Sequence, residues 1–171
     1  MEKIRLTLTG RQRGEDGEET VTETRTIADY CERNGSHYII YEEEAESGGS
    51  LSKNTLKLKG KLLELTKRGA VTSRMVFEAG KKVMVDYATP FGCLKMELAT
   101  RSLESSFQDG KTKIRVDYTL YAEGRVLSHC VLDIKFAKYF PIPAINDKAS
   151  AFITSGKADS TGAVSKLSTP S

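Results

Sequence analysis

The chain has 171 residues, which is enough for one hydrophobic core and few for two. With 39% hydrophobic and 29% charged residues and a net charge of +3, it has a globular composition and is too apolar for a disordered protein. No apolar stretch is long enough to cross a bilayer as a helix, and no apolar signal segment follows Met1, so we expect a cytoplasmic protein without a membrane partner.

Apolar and polar residues alternate with a period of two along most of the chain, which is the pattern of half-buried β-strands. Ten strands are predicted from this pattern, at about residues 4–9, 19–32, 36–44, 56–59, 63–65, 71–78, 83–87, 94–98, 114–120 and 130–136. The glycine-containing dipeptides at 34–35, 109–110 and 123–124 predict tight hairpin turns between neighbouring strands. No segment of helical length keeps a period of 3.6, so no substantial helix is predicted.

A meander of hairpin-linked strands with one apolar face can bury that face by curling into a closed barrel, which also removes its unpaired edges. The predicted fold is therefore all-β, a single antiparallel meander β-barrel of about 8–10 strands over residues 1–140. A β-sandwich is the alternative. Residues 141–171 are predicted to be a disordered C-terminal tail, because Pro141 and Pro143 break the pattern and the following segment is rich in small and polar residues.

Several short motifs follow one another in the middle of the chain: LLELTKRGAV at 62–71, MVFEAG at 75–80, YATPFG at 87–92 and TRS at 100–102. In order and spacing, over about residues 2–136, they resemble the bacterial YwiB-like family, a domain of unknown function with a calycin-like β-barrel fold. The resemblance implies a barrel similar in shape to those of the lipocalins and streptavidin. It implies no activity, because none is established for the family.

No set of residues points to an enzyme. His37 and His129 are predicted to be solvated or hydrogen-bonded, and Cys130 alternates to the strand face opposite His129, so these two cannot form a nucleophile–base pair. The cysteines, Cys31, Cys93 and Cys130, fit neither a disulfide framework nor a zinc site, and are expected to be free buried thiols. We therefore predict no catalytic residue, no metal and no cofactor.

Charge is segregated along the chain. Residues 15–46 contain eleven acidic residues against two basic ones, and residues 53–82 contain nine basic residues against two acidic ones. If these segments form neighbouring strands, their outer faces attract each other, and the acidic side chains cancel the field that a nucleic acid would need. Nucleic acid is therefore not a predicted partner. The acidic run at 42–44 is expected to split between the two faces of a strand and to be a solvated strand end.

The predicted inner row is mostly aliphatic, but larger or polar side chains also fall on it. These are Tyr41, Ser73, Met75, Phe77, Tyr87, Thr100 and Tyr118. Small-molecule sites combine apolar walls with a few polar groups, so the leading hypothesis is that these residues bind a small, largely apolar ligand in the barrel interior. The alternative is a structural or interaction protein that acts through its charged outer surface, with its barrel filled by side chains. The oligomeric state is left open.

Overall fold

The structure is a computed structural model of the chain, and it describes residues 1–44 and 48–141. Within these residues there are ten β-strands and no helix. The strands are β1 Glu2–Gly14, β2 Glu19–Arg33, β3 Ser36–Glu44, β4 Leu51–Lys59, β5 Leu62–Arg68, β6 Ser73–Glu78, β7 Lys82–Thr89, β8 Gly92–Gln108, β9 Lys111–Ala122 and β10 Arg125–Lys138. The predicted all-β fold is confirmed. The predicted tail, apart from its first residue, lies outside the described residues.

All ten strands form one antiparallel sheet, in the order β6-β5-β4-β3-β2-β1-β10-β9-β8-β7. Neighbouring strands are consecutive in the chain except β1 and β10, so the predicted meander is confirmed and its first and last strands pair with each other. The remaining two strands, β6 and β7, meet through one bridge between Thr72 and Ala88, whose two N–H···O=C bonds are both 2.9 Å. The sheet therefore curls into a nearly closed barrel, as predicted.

Glycine permits the sharp turns and one close approach of two strands. At 34–35, 109–110 and 123–124 both central residues have φ between 52° and 77°, as a type I′ hairpin turn requires. Gly69 is needed for a different reason, because a Cβ atom at this position would lie 2.7 Å from the Cα of Ser52 on β4. The tight turns predicted at 34–35, 109–110 and 123–124 are therefore confirmed.

Alternation along each strand packs the apolar side chains inside the barrel. The least exposed of them, each with 0% of its surface accessible, are Leu6, Leu63, Phe77, Leu98, Val116 and Ile134. Phe77 and Tyr118 meet edge to face from β6 and β9, with ring centroids 4.9 Å apart and planes at 61°. Arg74, one position along from Met75, is exposed on the outer face. The predicted division into inner and outer rows therefore holds on β6.

Two long strands extend beyond one of their neighbours, and this opens the barrel at its ends. β2 pairs with β1 through residues 19–30, but it pairs with β3 only through residues 29–33. β8 pairs with β9 as far as its last residue, Gln108, but it pairs with β7 only through residues 92–99. Residues 19–28 of β2 therefore have no ladder with β3, and residues 100–108 of β8 have none with β7.

Candidate functional site

A cavity of about 340 Å³ lies at the end of the barrel where β1 ends and β2 begins, and we call it the mouth cavity. Eight strands contribute to its lining. Its aliphatic and thioether residues are Leu65, Met75, Leu94, Met96, Leu120, Leu127, Val131 and Leu132, and its polar ones include Gln12, Thr20, Thr22 and Ser73. An apolar wall with a few polar groups, in a volume of this size, is the usual composition of a small-molecule site.

Four of the seven interior residues predicted from the sequence line this cavity: Ser73, Met75, Tyr87 and Tyr118. They come from three separate strands, and the period-two pattern alone placed them on the inner face. Ser73 is almost fully buried, whereas the other three are half-buried and so remain partly accessible from the cavity. The structure therefore brings these four side chains together at one open site.

The other three predicted residues are also inside the barrel, but they are not part of the mouth cavity lining. Phe77 lies behind Tyr118 and is fully enclosed. Thr100 is buried near the β-bulge of β8, and within the described part of the chain its hydroxyl has no hydrogen-bond partner. Tyr41 is buried on β3 beside Asn54. The sequence identified their face correctly, but not their height in the barrel.

One wall of the mouth cavity carries a chain of hydrogen bonds. Nε2 of Gln12 donates to Oγ of Ser128 at 3.0 Å, and Oγ of Ser128 lies 3.4 Å from Sγ of Cys130. The Cys130 thiol also interacts electrostatically with the hydroxyl of Tyr118. Burial raises the pKa of both the Cys130 thiol and the Tyr118 phenol. Because the thiolate is the nucleophilic form of cysteine, this wall presents neutral hydrogen-bonding groups rather than a nucleophile.

A second polar cluster lies on the inner face of β3, β4 and β5. Tyr41, Asn54 and Lys67 are opposite one another in the ladders, and Ser73 of β6 is opposite Lys67. They form one row across four strands. Burial raises the pKa of the Tyr41 phenol, and the nearby Glu43 carboxylate raises it further. The row ends at the mouth cavity, since Lys67 and Ser73 line it.

Glu43 holds this cluster together. Nδ2 of Asn54 donates to Oε2 of Glu43 at 2.7 Å, and Nζ of Lys67 lies 3.6 Å from the same oxygen. Asn54 has 0% of its surface accessible, and within the described residues its Oδ1 accepts no hydrogen bond. The acidic run at 42–44 does split between faces as predicted, with Glu42 and Glu44 exposed. Its middle residue, however, is bound by two side chains, so the interpretation as a simple solvated strand end is wrong for Glu43.

The sequence contained a signal for this cluster. Glu43, Asn54 and Lys67 each lie two residues from a residue on the predicted inner row, and polar side chains at such positions are uncommon unless they have partners. Which of them meet depends on the registers between β3, β4 and β5, and those registers are not evident from one strand at a time.

Among the described residues, the histidines and cysteines do not form a common site. His129 is exposed with its Nδ1 3.1 Å from Oγ1 of Thr119, and Nδ1 of His37 is 2.7 Å from the Tyr30 hydroxyl. Cys93 is exposed and Cys31 is half-buried, so the expectation that all three thiols are buried holds only for Cys130. Cys93 lies near the start of β8, directly after the turn at 90–91. Over residues 1–44 and 48–141, no three His, Cys, Asp or Glu side chains converge as a metal site would require.

The segregated charges do lie on neighbouring strands. β3 carries the acidic run and β4 begins the basic segment, and their register places Glu42 opposite Lys53. Arg74 on β6 pairs with Glu64 on β5 at 2.8 Å, inside the basic segment. The predicted attraction across the outer face is thus consistent with the strand order. Among the described residues there is no helix that could span a membrane.

Comparisons with known proteins agree with this fold. Residues 6–134 match a family described as "Domain of unknown function (DUF1934)". The uncharacterized β-barrel protein YwiB of Bacillus subtilis is 27% identical over 107 residues, which is 63% of this chain and 74% of that protein. The crystal structure of B. subtilis YwiB superposes with a TM-score of 0.71 at 23% identity, covering 81% of this chain and 93% of that one. The structural likeness shows a shared fold.

Proposed function

We propose that this chain, which belongs to the DUF1934 family of unknown function, binds a small, largely apolar ligand in its mouth cavity. The observation that carries the proposal is the cavity itself, because it has space for a ligand where a barrel filled by side chains would have none. Its lining favours an apolar molecule, since leucine and methionine together are the largest group of side chains in the wall. The conformational freedom of Met75 and Met96 lets that wall adapt to the shape of the ligand.

Polar groups at the rim favour a ligand with a polar end. Gln12, Ser73 and Lys67 reach the cavity from β1, β6 and β5 and could orient one end of the molecule by hydrogen bonds. The two cationic lining residues, Lys67 and Arg11, are paired with Glu43 and Glu19, so they contribute little net charge to the site. A ligand with one hydroxyl, carbonyl or amide group therefore fits this lining better than a strongly charged molecule. The cytoplasmic location stays a prediction.

A dye-displacement experiment tests the proposal. The fluorescence of the neutral dye N-phenyl-1-naphthylamine should rise on binding to the wild-type protein, and medium-chain alcohols and amides should displace the dye and raise the Tm. Met75→Trp fills part of the cavity and should abolish both effects. Met84→Trp is the matched control. Met84 is exposed on β7, so this substitution adds the same indole outside the barrel.

Two results would contradict the proposal. One is a wild-type protein that neither binds the dye nor gains thermal stability with any compound of the panel. The other is an equal loss of dye binding in Met75→Trp and Met84→Trp, since that would place the dye outside the mouth cavity. If Met75→Trp fails to fold, Leu65→Trp replaces it, because Leu65 lines the same cavity from β5.

A further inference from the structure

The first part of β2 has a free edge. Residues 19–28 pair with β1 on one side, and in the described part of the chain no strand pairs with them on the other, because the β2–β3 ladder begins at Asp29. Beside Thr26 and Ile27 this edge borders an open groove of about 450 Å³ whose far side includes Ile40 and Tyr41 of β3. The edge therefore offers a row of main-chain N–H and C=O groups for pairing.

This edge lacks most of the features by which proteins prevent edge-to-edge association. Such features are prolines, charged side chains (lysine above all), bulges and charges that point inward, and of these the segment has only the outward charges of Glu19, Glu23 and Arg25. Residues 19–28 contain no proline, lysine or glycine, and the ladder with β1 keeps one register without a bulge. The inward row of the segment consists of threonines, at 20, 22, 24 and 26. Two apolar side chains on its outer row, Val21 and Ile27, are 51% and 42% exposed.

Between residues 21 and 27, the outer row of the edge is complementary to itself. If two copies of β2 pair antiparallel about a two-fold axis beside Thr24, Glu23 of each copy lies opposite Arg25 of the other, and Val21 lies opposite Ile27. Moving the axis to Glu23 or to Arg25 would place two like charges opposite each other, which is unfavourable. Arg25 and Glu23 already pair within one strand, so the two copies together would form a ring of four alternating charges.

We propose that the free edge of β2 binds the same edge of a second copy of this chain, antiparallel and centred on Thr24. Pairing along residues 20–28 forms on the order of ten main-chain hydrogen bonds, the number that a typical protein interface carries. The dimer joins the two sheets into one. Since Thr20 and Thr22 line the mouth cavity, the partner's Thr26, opposite Thr22, extends the wall of that cavity.

Sedimentation velocity on the full chain over a range of concentrations measures the association. We expect a reversible dimer in the wild type. Arg25→Glu places Glu opposite Glu twice, and should raise the dimer Kd by at least about tenfold. The double variant Glu23→Arg/Arg25→Glu exchanges the charges and should restore the wild-type Kd. Lys95→Glu makes the same change of charge on an exposed residue of β8 and should leave the Kd unchanged.

Cysteine cross-linking tests the register, in a background with Cys31→Ser and Cys93→Ser. Thr24→Cys should form a disulfide between two copies under mild oxidation, because residues that face each other across the two-fold axis have Cα atoms about 4.5–5.5 Å apart. Thr22→Cys is the matched control. In the proposed register it lies opposite Thr26 and far from its own counterpart, so it should stay uncross-linked.

Three outcomes would overturn the proposal. A wild-type chain that stays monomeric at every concentration would exclude the dimer, and equal cross-linking of Thr24→Cys and Thr22→Cys would exclude the register. Hydrogen exchange gives the third. In a dimer, the amides of residues 19–28 that point away from β1 become protected as the concentration rises. Protection of these same amides at every concentration in a monomer would show that another segment of the same chain covers the edge.

Discussion

Truncation of Phe77 tests the assignment of inside and outside on which the mouth cavity depends. Phe77 is fully buried on β6 and packs edge to face on Tyr118. Replacing a buried phenylalanine by alanine typically costs about 3–5 kcal/mol, and an aromatic pair contributes about 0.5–1.5 kcal/mol beyond its buried area. Because Phe77 has both features, we expect Phe77→Ala to lower the free energy of unfolding by about 4–5 kcal/mol.

Arg74→Ala is the control, three residues earlier on the opposite face of the same strand. Arg74 is exposed and pairs with Glu64, and exposed ion pairs contribute about 0.2–1 kcal/mol. We expect Arg74→Ala to cost less than about 1 kcal/mol. Both variants are compared with the wild type by urea unfolding, where a loss of 4 kcal/mol moves the midpoint by roughly 2 M at a slope of about 2 kcal/mol per M.

A larger loss in Arg74→Ala than in Phe77→Ala would refute the face assignment, because a shift of one residue in register exchanges the two faces. A loss below about 2 kcal/mol in Phe77→Ala would refute the packing argument in another way. It would mean that Phe77 borders empty space instead of a filled interior, since a side chain next to a void has fewer contacts to lose. The mouth cavity would then reach deeper than Tyr118.

Three further predictions concern buried polar groups. In the native protein Cys93 should react rapidly with a thiol reagent at pH 8, and Cys130 only after unfolding, because burial raises the Cys130 pKa. Since burial also raises the pKa of Tyr118 above its value of 10.0 in the unfolded chain, the free energy of unfolding should fall as the pH rises through and above 10. Urea midpoints should show a shallower fall in Tyr118→Phe. Asn54→Asp places a second carboxylate beside that of Glu43, so it should lower the free energy of unfolding by about 3–5 kcal/mol at pH 7. The loss should be smaller at pH 5, where one carboxylate is protonated more readily. Urea midpoints measure both values, and an equal loss at the two pH values would contradict this account.

The strands and turns could be predicted because each depends on residues close together in the sequence. The Asn-Gly turn at 34–35 determines where β2 ends and β3 begins, and the predicted start of β3 at Ser36 is the observed one. A meander needs no other information, since each strand pairs with the next. The closure between β1 and β10 followed from the need to bury one apolar face, and the structure confirms it.

The candidate site was predictable only in part, because it depends on relative heights of strands in the barrel. Ser73 and Phe77 lie on the same face of β6, yet one lines the mouth cavity and the other is enclosed below it. The period-two pattern cannot distinguish these positions. Glu43 is a sharper case, because its partners on β4 and β5 are specified by two ladder registers that only the folded barrel establishes.

The pairing of β1 with β10 has a consequence for the folding kinetics of the barrel. Every other ladder joins strands that follow each other in the chain, so those hairpins can form locally and early. The ladder from Ile4↔Lys138 to Gly14↔Ser128 instead joins the first strand to the last. Bringing these distant strands together costs chain entropy before any contact between them compensates for it. Barrel closure is thus expected to be the slow step, so that changes in β1 and β10 alter the folding rate, and changes in β4 and β5 alter mainly the unfolding rate.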